Sequence, residues 1–349
     1  MSVGFRIGKK RVGPGEPVLI VAELSANHQG SLDRAKEIVR AAAACGADAI
    51  KLQTYTADTL TIDANNEHFR IRGTLWDGRT LHDLYQEAHL PWEWHAPLQQ
   101  TAHEAGLEFF STPFDATAVD FLAGLGVPAW KIASFEVVDL PLLRRVAATG
   151  QPVIMSTGMS TREEIAEAVE TLRSAGAGPL VLLKCTSAYP ARPDDMHLKT
   201  IPDMAAAFGV PVGLSDHTMG IAVPVAAVAL GAVLIEKHLT LARAEGGPDS
   251  AFSLEPDEFR AMVDAVRAAE RAMGRVSYDV SEGEASSRVF RRSLFVVADV
   301  REGEPFTADN VRSIRPAAGL HTRHLDEVFG RRAARDIARG TPLSWDLIH

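Results

Sequence analysis

Residues 213–238 read GLSDHTMGIAVPVAAVALGAVLIEKH, and this stretch decides the fold because it predicts strand, helix and strand in succession. The three elements fall at residues 213–215, 218–230 and 233–235. His217 follows the first strand and His238 follows the second. If the strands are parallel neighbours they lie about 5 Å apart, so the two imidazoles can share one small cation or one substrate oxygen.

The same unit of a strand followed by a helix recurs between residues 18 and 275, and eight copies can be counted. The strands begin near residues 18, 49, 107, 130, 152, 180, 211 and 233. The helices are predicted at residues 31–45, 81–105, 115–125, 141–149, 161–175, 194–208, 218–230 and 256–273. Eight such units over about 260 residues are typical of an α/β protein with a (β/α)8 fold, the TIM barrel. A doubly wound open sheet is disfavoured, because no glycine-rich dinucleotide-binding motif follows the first strand.

One long insertion departs from a minimal barrel. Residues 54–94, which we call the flap, follow the second strand and carry Trp76, Trp92 and Trp94. A segment of this length beside the mouth of a barrel is typical of functional loops. The tryptophans predict either a wall for a substrate or a cover that packs on the barrel.

The C-terminal part of the chain predicts a second, smaller domain. The barrel is expected over residues 1–276, a polar linker over 277–289 and a compact β-rich domain over 290–349. Short strands are predicted for SLFVVADV, NVRSIRP and TPLSWDLI at residues 293–300, 310–316 and 341–348. About 60 residues are too few for a second catalytic domain, so we expect this one to dock on another surface.

Composition excludes several classes of function. The net charge of -9 and the pI of about 5.8 disfavour nucleic-acid binding, which depends on a basic face. The N-terminus has no signal-peptide pattern, and the longest apolar run is broken by glycine and proline, so no membrane partner is expected. Cys45 and Cys185 lack metal or redox spacing and are interpreted as buried, reduced thiols. These features predict a cytoplasmic protein.

Polar side chains cluster at the predicted C-terminal ends of the strands, where barrel enzymes place their catalytic groups. One set is rich in cations and donors and suits a phosphate: Lys51, Lys131, Thr112, Ser134, Ser156 and Ser215. A second set contains Glu23, His217 and His238. It suits a divalent metal with open positions, Mn²⁺ or Mg²⁺ more than a closed zinc site, or acid–base work on a carbonyl.

A phosphate pocket beside a Lewis acid predicts carbon–carbon bond formation between a phosphorylated enol and an aldehyde. The competing interpretation is a Schiff-base aldolase that uses Lys131, Lys184 or Lys237. The pair of histidines would then have no obvious task.

Eight motifs resemble those of the sialic acid synthase family. They are VAELSANHQG at 21–30, GADAIKLQTYT at 46–56, FFSTPFD at 109–115, WKIASFE at 130–136, MSTGM at 155–159, KCTSAYP at 184–190, GLSDHT at 213–218 and IEKHLT at 235–240. The tail, residues 292–348, resembles the family's C-terminal antifreeze-like or SAF domain, a small β-clip fold. GTLWDG at 73–78, WEWH at 92–95 and RPAAGLH at 315–321 resemble the branch of the family that makes pseudaminic acid.

The resemblance implies a reaction. Family members condense phosphoenolpyruvate with an open-chain amino sugar and release a nine-carbon 2-keto acid and phosphate. For this branch the implied sugar is 2,4-diacetamido-2,4,6-trideoxy-β-L-altrose, and the product would enter a cell-surface glycan such as that of flagellin. A synthase of legionaminic or N-acetylneuraminic acid is the alternative. A non-catalytic, sugar-binding barrel is a more distant one, since it would be expected to have lost a metal histidine or a phosphate lysine and none is missing.

The resemblance also implies a role for each matching residue. Phosphoenolpyruvate would be bound by Lys51, Thr112, Lys131, Ser134, Ser156, Ser187, Tyr189 and Ser215. The sugar would be bound by Gln53, Glu136, Asp249 and Arg315. His217 and His238 would hold the metal, with Mn²⁺ expected and Mg²⁺ or Co²⁺ as alternatives, and Glu23 would complete the catalytic set beside the activated water or aldehyde. The implied assembly is a homodimer in which the SAF-like domain of one subunit caps the barrel of the other and offers Arg315 to the sugar.

Overall fold

The computed structural model describes residues 4–349. These residues form two compact units, one ending at Gly274 and the other running from Arg275 to His349. Within the described range, no helix is both long and apolar enough to cross a membrane.

The first unit is a closed barrel of eight parallel strands, which confirms the predicted (β/α)8 fold. A short antiparallel hairpin, β1 and β2, precedes the barrel and was not predicted; its strands are Phe5–Ile7 and Lys10–Val12. The barrel strands are β3 Leu19–Glu23, β4 Ala49–Thr54, β5 Glu108–Pro113, β6 Trp130–Ile132, β7 Val153–Ser156, β8 Leu180–Cys185, β9 Val212–Asp216 and β10 Leu234–His238. Each strand pairs with the next in sequence, and β10 pairs with β3 to close the ring.

Helices surround the ring. They are α1 Leu32–Ala44, α2 Ala57–Leu60, α3 Leu81–Ala88, α4 His95–Glu104, α5 Ala116–Gly124, α6 Leu140–Ala147, α7 Arg162–Ser174, α8 Thr200–Phe208, α9 Ala222–Ala229 and α10 Pro256–Met273. Several begin at polar caps: the side chains of Ser31, Asp115 and Thr161 accept hydrogen bonds from backbone N–H groups of the first turn. The helices bury their apolar faces against the outer surface of the strands.

The barrel interior is built in layers, because alternate residues of a strand point to the same face. The lower layer is apolar and includes Ala49, Phe110 and Ile154, packed against Ile7 and Val12 of the N-terminal hairpin. Two residues further along the strands comes a polar layer that contains Glu23, Lys51, Thr112, Ser156 and Glu236. The hairpin therefore covers the N-terminal end of the barrel, and the polar layer lies toward the C-terminal end.

The flap differs from its prediction. One helix was expected at residues 81–105, but the structure has α3 and α4 separated by Pro91 and a short 3₁₀ turn, Trp92–Trp94. Proline cannot continue a helix, because it lacks the N–H and its ring clashes with the preceding turn. The Trp92 indole packs on Phe121 with ring centroids 4.8 Å apart, so it fastens the flap to the barrel.

Two other helices are shorter than predicted. The segment 194–208 is helical only as α8, because Pro193–Asp195 forms a separate 3₁₀ turn. The segment 218–230 is helical only as α9, since residues 218–221 form the loop that follows β9.

The second unit has a small core of its own. Strands β11 Ser293–Val296 and β12 Val311–Ile314 pair antiparallel, and Leu294, Val311 and Leu343 are fully buried in its core. The third strand predicted, at residues 341–348, is wrong: the segment makes isolated bridges and ends in a 3₁₀ turn, Trp345–Leu347. Two short helices complete the unit, α11 Glu282–Ala285 and α12 Leu325–Val328.

Candidate active site

A cavity of about 390 Å³ opens at the C-terminal ends of the barrel strands. Its volume falls in the range of about 300–1,000 Å³ that is usual for small-molecule sites. Eleven of the residues predicted from the sequence line it: Lys51, Gln53, Lys131, Ser134, Glu136, Ser156, Tyr189, Ser215, His217, His238 and Asp249. Because the C-terminal ends of all barrel strands meet at one face, residues from six strands and the loops after them come together here.

Two lysines and two carboxylates form a buried cluster at the base of the cavity. Lys51 Nζ lies 2.6 Å from Glu23 Oε2 and 3.7 Å from Glu236 Oε1. Lys131 Nζ lies 3.6 Å from the same Glu236 oxygen and donates a hydrogen bond of 2.7 Å to Ser156 Oγ. Glu236 thus bridges both ammonium groups.

The pKa values in this cluster follow from burial and the shared charges. Burial alone would lower the pKa of Lys51, but the carboxylates of Glu23 and Glu236 raise it above its usual value. Burial would raise the pKa of Glu236, but Lys131 and Lys51 together lower it. Burial lowers the pKa of Lys131 in spite of the attraction of Glu236. A dianionic ligand would meet two ammonium groups already held in position, which is the arrangement that phosphate recognition requires.

The two histidines face each other, with ring centroids 5.3 Å apart. His217 Nδ1 donates a hydrogen bond of 3.0 Å to the carbonyl oxygen of Thr186, so Nε2 is the ring nitrogen left for a ligand. Burial lowers the pKa of His217, but the Cys185 side chain and this hydrogen bond raise it above its usual value. His238 Nδ1 is buried without a hydrogen-bond partner. Burial lowers the pKa of His238 well below its usual value, and the charge of His217 adds to the effect, so His238 is neutral.

A divalent cation fits between these rings, because neutral imidazole nitrogens are its common ligands and an orphaned buried nitrogen is costly without one. Residues 4–349 contain no group of three or more His, Cys, Asp and Glu side chains arranged to hold a metal. An ion bound by the two histidines would therefore take its other ligands from substrate or water.

The remaining polar side chains line the cavity above this base. Gln53 Nε2 donates to Glu23 Oε1 and to Ser25 Oγ, both at 3.0 Å. The carboxylate of Asp249 accepts hydrogen bonds from the Ser25 hydroxyl and from the backbone N–H of Ala26. These contacts fix the orientation of Gln53 and Asp249 while the face toward the cavity stays available.

Glu136 is buried, and its Oε2 has no hydrogen-bond partner. Burial raises the pKa of Glu136 to about 7, with Lys131 acting in the opposite direction. Its unpaired oxygen lost its water on burial and can accept a hydrogen bond from a donor group of a ligand.

Four predicted residues do not line the cavity. Glu23 is only 1% exposed and lies beneath Lys51, and Thr112 accepts a 3.2 Å hydrogen bond from Lys51 Nζ. Ser187 Oγ lies 3.9 Å from the thiol of Cys185. Arg315 follows β12 in the second unit, where it is exposed. In the barrel as it stands, Glu23 and Thr112 therefore position Lys51.

The three lysines considered for a Schiff base differ in whether they reach the cavity. Lys237 is fully buried outside the cavity and pairs with Asp216 Oδ2 at 2.5 Å. Lys184 Nζ bonds the carbonyl of Cys185 at 2.9 Å and does not line the cavity. Lys131 alone of the three reaches the cavity.

Two residues of the site carried no predicted role. Glu236 stands two residues before His238 on β10, so the strand period places both side chains on the inner face, and this signal could have identified it. Cys185, interpreted as an inert buried thiol, lines the cavity. Burial would raise the pKa of this thiol, but His217 lowers it to about 7. No spacing pattern in the sequence points to that contact.

The fold and this site define a class: TIM-barrel enzymes that bind a small anion and a second substrate at the C-terminal face. The NeuB family model matches residues 38–278, and the SAF domain model matches residues 291–349. The chain belongs to the NeuB family, and the resemblance to sialic acid synthases noted in the sequence is confirmed, as is the small SAF domain.

Curated relatives and solved structures agree with this placement. Pseudaminic acid synthase of Campylobacter jejuni is 48% identical over 93% of this chain and 95% of its own length. Pseudaminic acid synthase of Helicobacter pylori is 42% identical over 95% of this chain and 98% of its own length. The crystal structure of N-acetylneuraminic acid synthetase from Leptospira borgpetersenii, solved with citrate, superposes with a TM-score of 0.73 at 31% identity and covers 82% of this chain and 95% of its own.

Proposed function

We propose that this protein condenses phosphoenolpyruvate with 2,4-diacetamido-2,4,6-trideoxy-β-L-altrose and releases pseudaminic acid and phosphate. The observation that carries the proposal is the buried cluster of Lys51, Lys131 and Glu236 directly beside the facing imidazoles of His217 and His238. One cavity thus combines an anion site with a place for a carbonyl oxygen. The similarity to two pseudaminic acid synthases over nearly the whole chain supports this sugar over N-acetylmannosamine.

The chain's own residues have separate tasks in this reaction. Lys51 and Lys131 bind the phosphate and carboxylate of phosphoenolpyruvate, and Ser134, Ser156 and Ser215 add hydrogen bonds. C3 of the enol forms the new bond to the aldehyde carbon, water adds at C2, and the C2–O bond to phosphate breaks as the new C2 hydroxyl becomes the keto group. Of the two protons of that water, one restores the acid that protonated the aldehyde oxygen and the other leaves with the phosphate. The aldehyde oxygen gains a proton and becomes a hydroxyl. Glu23, whose pKa is raised by burial although Lys51 opposes the shift, is our candidate to hold that proton, which would reach the aldehyde through Lys51 because Glu23 itself does not line the cavity.

We assign the divalent metal, Mn²⁺ in our proposal, to His217 and His238. A bound cation would supply Lewis-acid stabilisation of the charge that develops on the aldehyde oxygen. The assignment predicts that His238→Ala lowers the affinity for Mn²⁺ at least tenfold, about 1.4 kcal/mol, as measured by the electron paramagnetic resonance signal of free Mn²⁺. His82→Ala is the matched control, because His82 lies on the flap outside the cavity. Equal Mn²⁺ affinity in both variants would remove the histidines from the metal site.

The assembly is part of the proposal. A homodimer in which each SAF domain caps the partner's barrel would bring Arg315, exposed after β12, to the sugar. The resemblance to the family supports this arrangement. Phosphoenolpyruvate is a metabolite of the cytoplasm, which supports our placement of the reaction there.

The test of the function is phosphate release from phosphoenolpyruvate in the presence of Mn²⁺, with three sugars compared side by side. They are the trideoxy-altrose, the corresponding trideoxy-mannose of legionaminic acid synthesis, and N-acetylmannosamine. Turnover with the altrose sugar alone is expected. Faster phosphate release with another sugar would identify the protein as a different synthase of the family. No phosphate release with any of the three would favour the non-catalytic, sugar-binding barrel.

A further inference from the structure

The cavity has two chemically different walls. Its base carries the lysines, carboxylates and histidines described above, whereas its outer wall is formed by the flap. The flap contributes mainly apolar side chains to this wall: Leu60, Ile71, Leu81, Leu84, Tyr85 and Ala88. Apart from Leu84, these side chains are only partly buried, so they leave apolar surface facing the cavity. A ligand that covers this surface would gain about 25 cal/mol for each Å² removed from water.

The wall is held in place by contacts across the mouth. Trp76 Nε1 donates a hydrogen bond of 3.1 Å to the carbonyl oxygen of Pro248, in the loop that follows β10. The Trp76 ring also lies beside Tyr189, with centroids 6.0 Å apart. Two backbone hydrogen bonds, Ile71 N to Arg79 O at 2.9 Å and Gly78 N to Ile71 O at 3.0 Å, tie the segment that carries Ile71 into the flap.

Two polar groups of this wall, beside Ile71, are already engaged. The Trp76 N–H is bonded to Pro248, and Thr74 Oγ1 accepts a hydrogen bond of 3.2 Å from the backbone N–H of Trp76. A sugar hydroxyl placed against Ile71 or Leu81 would lose its water without finding a partner, at a cost of about 1–3 kcal/mol. A methyl group at the same place would gain from burial.

The direction of the sugar follows from the proposed function, on which this inference rests. The aldehyde carbon must reach the histidines and the phosphoenolpyruvate at the base, so an open chain of six carbons points its far end, C6, toward the mouth. We propose that Ile71, Leu81 and Leu84 form the subsite that selects a 6-deoxy sugar, by receiving its C6 methyl group. The flap thereby determines specificity without touching the reacting atoms.

The experiment compares two sugars that differ only at C6: 2,4-diacetamido-2,4,6-trideoxy-L-altrose and its 6-hydroxy analogue. The wild-type protein is expected to favour the 6-deoxy sugar in kcat/KM by roughly 10–200-fold, the range that one small group in an apolar pocket gives. Ile71→Thr and Leu81→Asn add a polar group to the wall and should reduce that ratio at least about fivefold while the KM for phosphoenolpyruvate stays unchanged. Ile71→Val, which keeps the wall apolar, should retain the ratio.

Matched controls lie on the same flap. Ile62 is 60% exposed and Leu75 is 55% exposed, and neither lines the cavity. Ile62→Thr and Leu75→Asn should keep the wild-type ratio. The inference is overturned if the wild type uses both sugars equally, or if Ile71→Thr and Leu81→Asn keep the full ratio with a normal KM for phosphoenolpyruvate. Failure of the wild type to use either sugar would instead overturn the proposed function.

Discussion

Glu136 combines a functional position with an energetic cost. It lines the cavity, it is only 9% exposed, and one of its carboxyl oxygens has no partner. Burial disfavours its charged form and raises its pKa from 4.5 to about 7. The folded state therefore prefers the protonated acid, and the stability contributed by that preference is complete below pH 4.5 and is lost as the pH rises through 7.

Glu136→Gln should therefore stabilise the protein at high pH. The glutamine amide is neutral at every pH, so the variant avoids the cost of burying a charged carboxylate, up to about 3 kcal/mol of unfolding free energy at pH 8. At pH 5 the gain in unfolding free energy should shrink to less than about 1 kcal/mol. Urea-induced unfolding at the two pH values measures this difference. At pH 8, where the carboxylate form is populated, the same variant should lose affinity for the sugar, because an amide oxygen is a weaker hydrogen-bond acceptor than a carboxylate oxygen.

Glu67→Gln changes an exposed carboxyl of the flap and serves as control. A stability gain for Glu136→Gln that is equal at pH 5 and pH 8 would show that the carboxyl is not the source of the cost. Measuring at both pH values therefore separates the effect of removing the Glu136 charge from the effect of changing the shape of the side chain.

At the scale of elements, the sequence predicted the strands better than the segments between them. The polar ends of β9 and β10 were found because apolar runs, glycine and the strand period all agree there, and His217 and His238 face each other as expected. The helix at 81–105 was mispredicted because the apolar pattern continues across Pro91, although proline itself marks the break. The direction of the chain after the break depends on the packing of Trp92 on Phe121, which the sequence does not show. The contact between Cys185 and His217 joins the ends of two neighbouring strands, β8 and β9, through the register of their pairing, and no local sequence pattern predicts it.

A buried histidine joins the flap to the barrel. His95, the first residue of α4, is fully buried; its Nδ1 bonds the Trp92 carbonyl at 3.2 Å and its Nε2 bonds Thr54 Oγ1 on β4 at 2.7 Å. Burial lowers the pKa of His95 from 6.5 to about 4 in spite of these hydrogen bonds. The folded state thus holds the neutral ring, whereas the unfolded chain takes up a proton below pH 6.5.

This link makes the protein sensitive to acid. Above pH 6.5 the ring is neutral in both states and the pH has no effect, but stability should fall by up to about 3 kcal/mol as the pH drops from 6.5 to 4. His95→Gln has no such proton and should show a shallower fall over this window in thermal melts, even if its stability at pH 7 is lower. His68→Gln, on the exposed surface of the flap, should follow the wild type. An unchanged slope in His95→Gln would contradict this account.

At the scale of the whole molecule, the barrel and the SAF domain each have a core of their own. The polar layer and the flap, which both belong to the first unit, form the cavity. All residues that line the cavity precede Gly274. The role that we propose for the SAF domain at the sugar therefore depends on the proposed dimer and on Arg315.

Two inactive variants can be combined to test whether the SAF domain of one subunit caps the barrel of the other. His217→Ala should inactivate the barrel of its own subunit. Arg315→Ala should raise the KM for the sugar much more than the KM for phosphoenolpyruvate. At low sugar concentration, the homodimer of either variant should therefore have almost no activity. If the domains are exchanged, a mixed dimer places the intact Arg315 of the His217→Ala subunit over the intact barrel of its partner. Co-expression should then restore one complete site per mixed dimer, or about a quarter of wild-type activity for random pairing. If each domain serves its own barrel, no mixed dimer has a complete site and activity stays at the level of the single variants.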